Sequence, residues 1–357
     1  MRHVCKRRAV DWTLRLFVIA LLAIAGFGAI FAQIFAQAPP QKPWAVRIVL
    51  PPKIVIGERA TLAVFGADGK LAPDVNVTFG TGQSVTTDDT GRASFTAPAT
   101  GAVLLAKAAG TAAAAILEPA AEGNRQQGAL VASFASLHEP VPICGGRFQG
   151  DADGNHVRID GEPALVMAAS PECVSVLPGL KTSAGPVQIM VISPGGKWMA
   201  ATTLVKLESE FPKPPMLPGK KERIEIRVRG TDHPVRILVI NETPDVVHFF
   251  RGEMQEALSS GGAENLVEIE AQAIRSGDFA FHGSLVPPQD PISAQRYLEA
   301  AQPLASPESQ RQLKEIVKEL GRHHGDEDKL RRRLDQIIDT EHGEDFRVLA
   351  AAARALL

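Results

Sequence analysis

Hydrophobic and polar positions follow three different patterns along this chain. From Leu16 to Ala32, seventeen residues carry neither charge nor polar side chain. Arg2, Lys6, Arg7, Arg8 and Arg15 precede them against one acid, Asp11, and Pro39-Pro40 closes the region. A basic start, an apolar run and a small-residue exit are the parts of an export signal. The same run just reaches the length that spans a hydrocarbon core of about 30 Å. Ala36-Gln37-Ala38 offers a cleavage site, but proline directly after it hinders cleavage. Signal peptide and retained anchor therefore both stand for 1–38. In the second case residues 16–35 lie in the membrane and the basic end stays cytoplasmic.

After Pro39 the pattern shortens to alternating runs of strand length. AVRIVL (45–50), KIVIG (53–57), ATLAVFG (60–66), VNVTFG (75–80), QSVTTD (83–88), ASFTAP (93–98) and VLLAKAAG (103–110) are each bounded by turn residues. Short strands with no helix between them predict an antiparallel sandwich over 42–118. A small, polar, unpatterned spacer (118–140) leads to a second strand series over 139–207. A third, over 212–287, contains RIEIRVRG (223–230), VRILVINE (235–242), VVHFFRG (246–252), NLVEIEAQAI (265–274) and FAFHGSLV (279–286). Its segment EMQEALSSGGAE (253–264) is too polar for a core strand and reads as a turn of helix and loop.

From Pro291 the period changes to three and four residues. Leu313, Ile316, Val317 and Leu320 form one stripe; Leu330, Leu334, Ile337 and Ile338 form another. Ser306-Pro307-Glu308 reads as a helix start, with proline at the first helical position. Residues 291–357 are thus a helical segment whose stripes need cover from each other, from the last sandwich or from a second chain. The fold class expected is mainly β: tandem immunoglobulin-like sandwiches between an N-terminal signal or transmembrane helix and a C-terminal α-helical segment.

Two stretches carry family patterns. In the first sandwich Asp68-Gly69, then Val75/Val77/Phe79, then Thr87/Gly91/Ala93/Phe95 stand where the bacterial Ig-like (Big-type) repeats of surface proteins place a turn, a strand and a hairpin. The chain resembles that family over about 75 residues. In the second, Gly146-Arg147-Phe148, Val157/Ile159/Gly161/Pro163/Ala164, Ser170/Val174/Val176/Pro178 and Gly185/Val187/Ile189/Val191/Gly195 resemble an IPT/TIG domain, also an Ig-like fold, with a shortened opening loop. Neither resemblance brings a catalytic residue.

Composition narrows the function. Formal charge is −2, and the portion after residue 38 carries 33 bases against 39 acids, net −6. That removes the electrostatic case for nucleic acid or anionic headgroups. Trp44, Trp198 and Tyr297 are the only large amphipathic aromatics in that portion, which disfavours sugar binding. Asp151, Asp153, Asn155 and Glu162 occupy positions 1, 3, 5 and 12 of a calcium-loop pattern, yet position 6 is His156 where the sharp turn needs glycine. The bland alternative is a solvated turn. Cys144 and Cys173, the only cysteines beyond the export segment, can form a disulfide in an oxidising compartment or remain two buried thiols. His323-His324 with Asp326, Glu327 and Asp328 reads as a helix end meeting a helix start. No nucleophile, phosphate-loop or zinc motif occurs, and no cofactor is implied.

The expectation is an exported, non-enzymatic cell-envelope protein using Ig-like modules for protein binding, adhesion or spacing. The alternative is a membrane-anchored accessory or sensor subunit of a larger envelope complex. Partners are proteins, or a second copy through the C-terminal helices, with no nucleic acid. The location is the inner membrane with the bulk periplasmic or extracellular, or secretion after cleavage.

Overall fold

The structure, a computed structural model, describes residues 46–66, 68–120, 128–210, 218–277, 279–321 and 327–357. The segment expected to direct export, Trp44 and the His323-His324-Asp326 cluster lie outside the described residues. No described helix is long and apolar enough to cross a membrane.

The first sandwich is built from β1 (Arg47–Val49), β2 (Lys53–Val55), β3 (Arg59–Phe65), β4 (Asn76–Phe79), β5 (Ser84–Thr86), β6 (Arg92–Thr96), β7 (Val103–Ala108) and β8 (Thr111–Glu118). One sheet runs β1-β3-β6, the other β2-β8-β7-β4-β5. β1 pairs antiparallel with β3, while β2 crosses to the other sheet and pairs parallel with β8. This split first strand, with its parallel contact to the last, is an immunoglobulin-type arrangement. Alternation explains the strands: Val77 and Phe79 of β4 are buried while Asn76 and Thr78 are exposed. Gly91, at φ +70°, turns the chain into β6; a Cβ there would lie 2.7 Å from that of Leu71.

The second sandwich contains β9 (Phe134–Ser136), β10 (Val141–Cys144), β11 (His156–Ile159), β12 (Glu162–Ala169), β13 (Cys173–Leu177), β14 (Gly185–Ser193) and β15 (Gly196–Glu210). β10 pairs with β13; β11 pairs with β12 and β14; β14 pairs with β15; β9 lies parallel to β15. β12 pairs with β11 over residues 162–164 and with β13 from Leu165 onward, the second ladder carrying an irregularity between Val166 and Ala168, so one strand serves both sheets. This too is Ig-like connectivity.

β15 does not stop at the edge of the second sandwich. Residues 196–204 pair with β14 and residues 206–210 pair with β16 (Lys221–Arg229). The third sandwich therefore begins inside a strand of the second. Its sheets are β15-β16-β20-β18 and β19-β17-β21, with β17 (Arg236–Asn241), β18 (Val247–Phe249), β19 (Met254–Leu258), β20 (Leu266–Ala273) and β21 (Phe281–Leu285). The segment expected as a turn of helix is the edge strand β19. It is polar because its outer residues face a cleft; Gln255 alone is buried.

Four helices follow: α1 (Pro291–Ala301), α2 (Pro307–Leu320), α3 (Glu327–Thr340) and α4 (Glu344–Ala355). Ser306 caps α2 by accepting from the Ser309 amide. Both apolar stripes are buried in this chain, around Leu298, Leu313, Ile316, Leu334, Ile337 and Phe346. The cluster extends to Ile116, Ala114, Val103 and Leu105 on the outer face of β7–β8. The helices thus bury their apolar stripes against the first sandwich, and meet the third through charged side chains. Arg296 fixes the contact by bonding Glu118 at 2.7 Å and the Leu117 carbonyl at 2.5 Å.

Candidate functional site

The loop from β10 to β11 holds the residues expected for calcium, and it has another use. Asp151 accepts from the Asp153 amide and starts a short 3-10 turn, Ala152–Gly154. Asp151 faces Arg59 at 3.4 Å and Asp153 faces Arg92 at 2.8 Å, both arginines belonging to the first sandwich. The Asn155 amide donates to the Gln149 and Asp151 carbonyls at 2.8 Å each. Glu162 is displaced to the start of β12, across from Ile159. The four residues therefore do not converge on one ion. Among the described residues no three His, Cys, Asp or Glu are grouped to hold a metal. The sequence spacing matched because a tight turn uses the same oxygen-bearing residues as a metal loop.

This loop locks two sandwiches together. Buried Thr61 of β3 donates to the Gly150 carbonyl at 2.7 Å and accepts from the Ala152 amide at 3.3 Å. Arg92 also reaches the Val166 carbonyl, and the Ser170 hydroxyl donates to the Lys53 carbonyl at 2.5 Å. Val49, Ala63, Phe65, Met167 and Ala168 form an apolar seam beneath. A cleft of about 600 Å³ opens beside it, lined by Glu58, Arg59, Phe148 and Gln149 among others. The sulfur atoms of Cys144 and Cys173 are bonded, joining opposed residues of β10 and β13 within one sheet.

A second cleft, about 460 Å³, separates β19 from α3 and α4 and is lined by Arg236, Arg251, Arg331, Arg332 and Arg354. Glu256 of β19 sits among three of them. It pairs with Arg236, and lies 3.8 Å from Arg331 and 3.7 Å from Arg354. Arg331 also meets Asp328 at 3.2 Å, and Arg354 meets Asp335 at 2.7 Å. The side chains of Arg331, Arg354 and Glu256 are only 9%, 11% and 15% exposed, so these pairs are weakly screened. Sequence reasoning missed this cluster because it read 253–264 as a turn of helix and loop. The alternation in MQEAL was the available signal.

A third group joins all three sandwiches. Glu139, between β9 and β10, lies 3.5 Å from Arg47 of β1 and 3.2 Å from His282 of β21. The hydrogen bond to Glu139 raises the His282 pKa above its ordinary 6.5, against the opposing effect of burial.

No known family and no curated protein matches this chain. Solved structures resemble parts of it distantly. The extracellular region of plexin A4 is 12% identical at a TM-score of 0.24, covering 66% of this chain and 22% of its own. The Bacteroides ovatus mixed-linkage glucan protein SGBP-B is 10% identical at 0.23, covering 70% of this chain and 69% of its own. Extracellular domains 3–5 of Drosophila OTK are 13% identical at 0.19, covering 65% of this chain and 98% of their own. This chain thus spans about a fifth of the plexin region. The Ig-like assignment rests on the strand pairing described above.

Proposed function

We propose that this chain is an exported, non-enzymatic cell-envelope protein, whose Ig-like sandwiches hold protein-binding surfaces at a fixed separation. The first sandwich is read as a Big-type repeat and the second as an IPT/TIG domain. The observation that carries this reading is the way the sandwiches are joined. β15 is shared by the second and third, a buried hydrogen-bonded seam joins the first and second, and the helices reach the first and third. Connections of this kind remove the hinges that a flexible string of modules would have, which suits a spacer or presenting scaffold. The basic and apolar start of the chain, and a bonded cysteine pair, support export.

Two measurements test the reading together. An alkaline phosphatase reporter fused after residue 60 should be active outside the cytoplasm. A photo-crosslinking residue at Leu180, fully exposed on the loop before β14, should capture an envelope protein in intact cells. Cytoplasmic retention of the reporter would overturn export. Failure of cross-linkers at Leu180 and at the other loop tips to capture any partner would overturn the binding role.

A further inference from the structure

The charges of the arginine cleft are not matched one to one. Each acid that lines it has an arginine partner: Glu256 meets three, Asp328 meets Arg331, Asp335 meets Arg354, and Glu268 meets Arg223 of β16. Arg251, just before β19, and Arg332, on α3, line the same cleft, and the guanidinium group of neither makes a hydrogen bond or ion pair with any described residue. Two exposed guanidinium groups therefore face one cleft without a counter-charge, one from the sandwich and one from the helices.

The strand between them has an open edge. Asn241 donates to the Glu253 carbonyl at 2.7 Å and Ser259 donates to the Val235 carbonyl at 3.0 Å. With the register of β17 on β19, this directs the backbone groups of Gln255 and Ala257 toward β17. Those of Met254, Glu256 and Leu258 point the other way, and no described strand pairs with them. An open edge offers a template for an added strand. Met254 and Leu258, 39% and 65% exposed, supply apolar contact along it.

We infer that this cleft binds an extended acidic segment of a partner protein, which pairs with β19 as an added strand and sets carboxylates against Arg251 and Arg332. Main-chain bonds supply affinity in this mode, and alternate side chains supply selection. Guanidinium groups suit carboxylates because two N–H groups match two oxygens. A second copy of β19 is a poor occupant, because its acids are engaged: Glu253 bonds Asn241 and His248, and Glu256 holds three arginines. A small inorganic anion would satisfy the arginines but leave the edge unpaired.

The inference names a partner chemistry for the binding reading above, but the purified protein tests it without reference to export, so the two can fail separately. The probe is a fluorescein-labelled octapeptide of alternating valine and glutamate, followed by anisotropy. Saturable binding is expected, and Arg251→Glu with Arg332→Glu should weaken it by about tenfold or more. Coincident thermal unfolding of variant and parent controls for folding. Two further peptides are N-methylated at alternate residues, one set on the valines and one on the glutamates. One should lose binding and the other keep it, since only alternate amides face β19. Absence of saturable binding at millimolar peptide overturns the inference. So does equal binding of both N-methylated peptides to the unaltered protein, or displacement of the parent peptide by millimolar inorganic phosphate, which marks a simple anion patch.

Discussion

Thr61 shows how one side chain decides a junction. It is 3% exposed and its hydroxyl serves both a carbonyl and an amide of the next sandwich. Thr61→Val keeps the shape and strands both partners, so a loss of about 1–3 kcal/mol is expected in urea unfolding. The Cys144–Cys173 bond closes a separation of 29 residues. Replacing both by serine is expected to cost about 3 kcal/mol on the loop-entropy account, and only the parent should respond to dithiothreitol. His282 gives a pH signature. Its folded pKa is raised above 6.5 by Glu139, with Glu242 adding to the effect and Arg47 opposing it. The stabilisation is fully present below 6.5 and is lost as pH rises through the raised value. The unfolding midpoint should therefore fall across that window, modestly because His282 is half exposed, and His282→Gln should flatten the change. The sequence exposed the cysteines, the Ser306 cap and the turn glycines, since each acts on its near neighbours. Thr61 and Glu256 could not be found that way, because their partners lie far along the chain.

At the scale of elements, alternation and turn chemistry located most strands, and capping located α2. The exceptions have physical causes. β19 is an edge strand with one buried residue, so it lacks the apolar face by which strands are recognised. β15 was expected to end near 207, yet it continues because LESE still alternates and finds β16 as a new partner. β7 and β8 carried an unused sign: VLLA and AAAAIL are apolar on both faces, as strands covered on both sides are. The cover is the helical segment. Phe346 is fully buried at the centre of that contact. Phe346→Ala should cost about 3–5 kcal/mol, read by thermal or urea unfolding of the full chain.

At the scale of the whole molecule, the described residues from Val46 onward belong to one compact unit, Ala45–Leu357. Because β15 is shared and the helices touch the first and third sandwiches, local losses should propagate. Calorimetry is expected to show one dominant transition, shifted down alike by Thr61→Val and Phe346→Ala, rather than separate transitions for each sandwich. Independent transitions would mean that the seams contribute little. By itself, the sequence determined that this chain is mainly β with a helical end, that its strands form sandwiches, and that Cys144 and Cys173 fall within one of them. Those properties follow from periodicity and local turn chemistry, which each short segment carries within itself. Only the tertiary structure decided that the helices cover the first sandwich, that the calcium-like loop serves as a lock, and that five arginines meet beside an open strand edge. Each of these depends on side chains from distant segments arriving at one place, and no local pattern encodes which partner a buried face or a buried charge will meet.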